Sequence, residues 1–174
     1  MDNTKLEFVN KNTKETFEIG LPQEDLEVFF AETNRYEDFL NNNYEITKFE
    51  NRELAFLKLD KDTSLSKLND ALLKYDSLDD STKETVLLVT HLSGDTLDAL
   101  IYSLRNYQKY ILVPEELNTN NLIVEFAIKA FTERNFLCYF LEAVDYNRFY
   151  QLLFSNGIAY KINKRILIKK SMII

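Results

Sequence analysis

Cysteine and histidine occur once each in this 174-residue chain and tryptophan not at all, while glycine numbers three and proline two. Each scarcity removes a class of function. A single cysteine, Cys138, excludes an internal disulfide framework, and its neighbours Leu137 and Tyr139 mark it as a small apolar core residue rather than a nucleophile. The single histidine, His91, has no second histidine with which to share a zinc ion, which points to a structural or surface role. Gly20, Gly94 and Gly157 stand too far apart for a phosphate-cradling P-loop or a dinucleotide-binding GxGxxG turn. No apolar run approaches the roughly 18 residues of a membrane span, and the opening MDNTKLEFVN lacks the basic-then-apolar pattern of a signal peptide. The sequence therefore points to the cytoplasm and to no membrane partner.

What is present argues for a folded protein. Hydrophobic residues make up 45% of the chain and aromatics 13%, enough to outweigh 28% charge and exclude intrinsic disorder. The length suffices for one ordinary domain or two or three small ones in series. The net charge of −7 conceals a gradient. Residues 1–145 hold 28 acids against 15 bases, a net of −13, whereas residues 146–174 hold six bases and no acid.

Alternation of apolar and polar residues at Leu6, Phe8, Phe17 and Ile19 predicts a hairpin turning through Asn10 to Lys14. GLPQEDLEVFFAE predicts a short helix opened by Pro22, with Leu26, Phe29 and Phe30 on one face. YEITKFE predicts a strand returning against the hairpin, and LAFLKL, residues 54–59, a further extended segment. Spacings of three and four at Leu65, Leu68, Leu72 and Tyr75 predict a helix, and Ser81–Glu84 has the capping-box pattern of a second helix start. A third helix follows the Ser93-Gly94 break. Tyr110–Val113 reads as a strand stopped by Pro114, Asn120 onward and Tyr146–Phe154 as helices, and GIAYKINKRILIKK as a hairpin turning at Asn163-Lys164. The expected class is α+β, an elongated series of modules: residues 1–60, an antiparallel sheet with one helix; 61–106, helical; 107–174, mixed helix and hairpin.

No catalytic constellation emerges. The acid pairs Asp79-Asp80 and Glu115-Glu116 are adjacent and lie at expected helix starts or turns, where capping accounts for them. The basic end, with Tyr146, Phe149, Tyr150, Phe154 and Tyr160 among its cations, has the composition of a nucleic-acid patch, but aromatics at helical spacing favour an inward-facing core.

In this order the segments FEIGLPQEDLEVFF, YEITKFE, TSLSKLNDAL and VDYNRFYQLLFSNGIAYKINKRILI resemble the ArdA antirestriction family over nearly the whole chain. The resemblance implies a non-enzymatic protein of three small domains, without cofactor or metal. It further implies mimicry of duplex DNA in the DNA groove of a host type I restriction-modification enzyme, or of another DNA-binding defence protein. Direct nucleic-acid binding is not expected on that reading. Charge density nominates the phosphate surrogates: Glu24, Asp25, Glu32, Glu37, Asp38, Glu45, Glu50 and Glu53, then Asp70, Asp76, Asp79, Asp80 and Glu84. Duplex DNA carries roughly one charge per 1.7 Å, so ~40 Å of it presents about 24 phosphates, and the acidic region supplies about half that. The resemblance also implies a homodimer through the last module, for which Phe149, Leu153 and Ile158 are the candidate contacts, with Glu133, Glu142 or Asp145 available to pair across the axis with its cations. The alternative is a mobile-element interaction or regulatory protein that keeps the fold without mimicry.

Overall fold

The computed structural model describes residues 4–117, 119–131 and 145–170, and the expectations for Cys138, Glu133 and Glu142 lie outside them. The chain divides into two compact units, Met1–Arg105 and Asn106–Ile174. The described elements are helices and two three-stranded antiparallel sheets, an α+β fold.

The first unit opens with β1 (Thr4–Asn10), β2 (Thr16–Leu21) and, after two helices, β3 (Tyr44–Glu50), in the order β2-β1-β3. Strict alternation buries Leu6 and Phe8 of β1 while Lys5 and Glu7 face out. Over the buried face lie α1 (Leu26–Glu32) and α2 (Tyr36–Leu40). Phe30 of α1 stacks on Phe39 of α2 at 4.5 Å between ring centroids, and Phe8, Phe17 and Tyr44 complete an aromatic core. Three helices follow: α3 (Leu65–Asp76), α4 (Asp80–Ser93) and α5 (Leu97–Asn106). They bury Leu68, Leu72, Val86, Val89 and Leu100. Gly94 ends α4 at a φ of 111°, a left-handed conformation that glycine takes without steric cost. Within this unit the Asn69 side chain on α3 exchanges two hydrogen bonds with the Gln23 backbone, at 2.8 and 2.9 Å, tying helices to sheet.

Three local expectations are corrected. Pro22 does not open α1: the helix starts later, where the Asp25 carboxylate accepts from the Val28 N–H at 3.0 Å. Residues 54–59 are not a strand. The Asn51 side chain accepts from the N–H groups of Glu53 and Leu54 and bends the chain into a turn that buries Leu54 and Leu57, so local turn chemistry overrides apolar alternation. Ser81–Glu84 is not the capping box of α4. Asp79 is the cap, two residues earlier, and takes the Thr82 N–H and both the Ser81 and Thr82 hydroxyls. The short helix α2, five residues long, has too few positions to show a periodicity in the sequence.

The second unit has a strand β4 (Tyr110–Leu112), helices α6 (Asn120–Phe131) and α7 (Tyr146–Ser155), and the hairpin β5 (Ala159–Ile162) and β6 (Arg165–Lys169). Its sheet runs β4-β6-β5. Val113, Ile123, Val124, Leu153 and Ile168 form its core, with Tyr146, Phe149, Tyr150, Phe154 and Ile158 packed half-buried against them, so the four aromatics of the basic segment that lie on α7 face inward.

Candidate functional site

The thirteen nominated acids all belong to the first unit, whose sequence holds 22 Asp and Glu against 12 Lys and Arg, a net of −10; the second unit holds 6 against 9, a net of +3. The structure separates the thirteen by what each carboxylate touches. Asp25 and Asp79 cap helices. Asp38 is half-buried and accepts from Asn10 at 2.6 Å and Asn43 at 3.1 Å, pinning α2 to the end of the sheet. Glu53 accepts the Tyr75 hydroxyl at 2.7 Å. Glu50 is ion-paired with Lys48, an interaction that holds the Glu50 carboxyl below its usual range and raises Lys48. Glu84 is half-buried on α4 and has interactions of its own.

Six others, Glu24, Glu32, Glu37, Asp70, Asp76 and Asp80, are exposed and enter no hydrogen bond or ion pair through their carboxylates with another described residue. Glu45 is half-buried on β3. These side chains do not share one surface. Glu45 and Glu50 stand on the open face of the sheet, whereas Glu32 and Glu37 ride on the helices that cover its other face. Asp70 lines a cleft of about 480 Å³ beside Lys67, Lys74 and Arg105, whose cations oppose its charge. Glu24, Glu53 and Asp76 meet around a second cleft, of about 400 Å³, with Arg52 and Lys83. Tyr75 forms part of its wall, and its phenol is held well above the ordinary range by burial first, then by the hydrogen bond to Glu53 and the nearby Asp76 and Asp80 charges.

Sequence reasoning missed the charge lattice on the open sheet face. Register sets Glu7 directly opposite Glu18 on one side and Lys48 on the other, while Lys5 lies opposite Glu50 and reaches Glu18 at 3.3 Å. Alternation within β1 and β2 exposes these residues, but only the strand pairing sets the like charges of Glu7 and Glu18 side by side.

His91 has a structural environment. Its Nδ1 lies 2.7 Å from an Asp95 carboxylate oxygen and its ring sits 4.0 Å from that of Phe56. Among the described residues no group of three or more His, Cys, Asp and Glu could hold a metal ion, and no helix is long and apolar enough to cross a membrane. Of the nominated dimer contacts, Leu153 is 1% exposed and spends its side chain inside its own unit, while Phe149 and Ile158 are half-buried against that core. Asp145 caps α7, accepting the Arg148 N–H at 3.1 Å.

No protein-family model matches the chain, and no curated protein matches it.

Proposed function

We propose that the protein is a non-catalytic inhibitor that imitates duplex DNA and occupies the DNA-binding groove of a type I restriction-modification enzyme, in the manner of the ArdA family it resembles. The observation that carries this reading is the first unit's net charge of −10 together with six exposed carboxylates left without a described partner. A net excess of negative charge attracts the basic groove built for phosphates and speeds encounter. The test mixes the purified protein with a type I restriction enzyme and its substrate DNA. Near-stoichiometric inhibition is expected, and full cleavage in the presence of a large excess rejects the reading. Replacing Glu24, Glu32, Glu37 and Asp70 by their amides weakens inhibition in steps and flattens its salt dependence; complete loss from one substitution would indicate a discrete site instead.

A homodimer through the second unit belongs to the same reading. Exposed Leu122 and Leu152, with half-buried Phe149 and Ile158, supply apolar surface there. Sedimentation at micromolar concentration that returns only a 20.5 kDa species rejects it.

A second reading, an interaction or regulatory protein of a mobile element without mimicry, is favoured by the structural duties of Asp25, Asp38, Glu50, Glu53 and Asp79. Carboxylates chosen to cap helices and hold loops need no external target. A salt-dependent gel shift of DNA by the protein alone, with no inhibition of the restriction enzyme, selects this second reading.

A further inference from the structure

The second unit has a cleft of about 560 Å³ between the β5–β6 hairpin and the segment joining β4 to α6. Its size lies within the few-hundred to about 1,000 Å³ range of small-molecule sites. Lys161, Lys164 and Arg165 line it from the hairpin, and Glu115 is the one acid among its described lining residues. That acid is committed to Arg165, at 2.8 Å. Lys161 and Lys164 are exposed and enter no ion pair with a described residue, so two cations are left to face the cleft. Beneath them the lining is apolar: Val113, Ile123 and Ile166 belong to the unit's core, and the Tyr150 ring joins them.

Backbone geometry adds an independent observation. Asn163 and Lys164 have φ of 47° and 71°, the left-handed pair of a two-residue hairpin turn. Glycine fills the second position of such a turn with least strain, yet this chain places there a lysine that lines the cleft. A cationic rim over an apolar, aromatic floor suits a ligand that is anionic at one end and flat and apolar at the other.

We propose that this cleft binds a nucleoside phosphate, with the phosphates on Lys161 and Lys164 and the base against Tyr150. The cleft lies wholly in the second unit, and its lining owes nothing to the acids of the first. The chain's net charge of −7 opposes a long polyanion, so a free nucleotide is favoured over a nucleic-acid strand.

The experiment titrates the intact protein with ATP, tripolyphosphate and a short oligothymidylate, read by calorimetry and by backbone amide shifts of Lys161–Arg165. ATP is expected to bind and to move those amides. Lys164→Gly removes one cation while easing the turn, so it weakens ATP by about tenfold with an unfolding midpoint equal to or above wild type. Lys161→Gln replaces an exposed side chain of β5, so it weakens binding further without unfolding the hairpin. ATP binding tighter than the oligonucleotide identifies a free nucleotide as the source, and the reverse identifies a single strand. No shift at millimolar ATP, unchanged affinity in the Lys164→Gly and Lys161→Gln double variant, or tripolyphosphate binding as tightly as ATP overturns the proposal.

Discussion

The two units solve the same packing problem with opposite charge. The first, at −10, covers a sheet with aromatic-rich helices; the second, at +3, covers its sheet with the apolar faces of α6 and α7. Both cores are apolar, aromatic-rich in the first sheet and aliphatic in the second, so charge sign is set outside the core, where side chains are free to vary. The difference lies in how charge is used. In the first unit many carboxylates hold the structure: they cap α1 and α4, pin α2 and accept the Tyr75 hydroxyl. In the second the hairpin cations Lys161 and Lys164 lack such duties among the described residues and gather at one cleft.

The comparison breaks most readily at the cores. Phe30→Ala removes the ring joining α1 and α2 to the sheet and is expected to cost about 3–5 kcal/mol, and Ile168→Ala in β6 about 2–5 kcal/mol. Amide exchange read element by element is expected to show each loss within its own unit. Equal loss of protection in both units would show that they unfold as one.

Helix caps give a smaller and matched effect. Asp25→Ala and Asp145→Ala delete equivalent bonds, at 3.0 and 3.1 Å, and each is expected to cost about 1 kcal/mol by denaturant unfolding. The corresponding Asn variants retain an acceptor and are expected to restore most of it. An Asn variant as damaged as its Ala counterpart would show that charge, not capping, supplies the stability.

Proton linkage concerns the first unit. Burial, then the Asp38 carboxylate, push the Tyr44 phenol up to about 12. An unfolded chain releases that proton near pH 10, so this contribution is complete below about pH 10 and is lost as the pH rises toward 12. Asp79 has the opposite sign. The Ser81 and Thr82 hydroxyls, then the Thr82 N–H, hold its carboxyl well below the ordinary 3.8, so its contribution is present above about pH 4 and lost as the pH falls. Denaturation midpoints across pH are expected to show a shallower alkaline loss in Tyr44→Phe and a shallower acid loss in Asp79→Asn. Profiles that match wild type would remove these groups from the account.

Salt gives the smallest effect. Screening relieves self-repulsion more at −10 than at +3, so moderate salt is expected to raise amide protection slightly in the first unit and to leave the second nearly unchanged. An equal response would show that net charge does not distinguish the units energetically.

By itself the sequence determined the α+β class, most element positions and the charge gradient. Those depend on short-range pattern: β3 shows as YEITKFE, α3 as the Leu65, Leu68, Leu72 and Tyr75 spacing, and the last hairpin as two alternating runs around Asn163-Lys164. Tertiary structure decided what each charged residue does. Asp38 and Glu24 look alike in sequence, yet one accepts from Asn10, 28 residues away, and the other remains exposed. Glu7 meets Glu18 only through strand register, and Lys161 meets the residues around Pro114 only through the pairing of β4 and β5 with β6. Periodicity records which way a side chain points along its own element. The partner it meets is fixed when distant elements pack, because a carboxylate's role depends on the donors, charges and water that folding brings within a few ångströms of it.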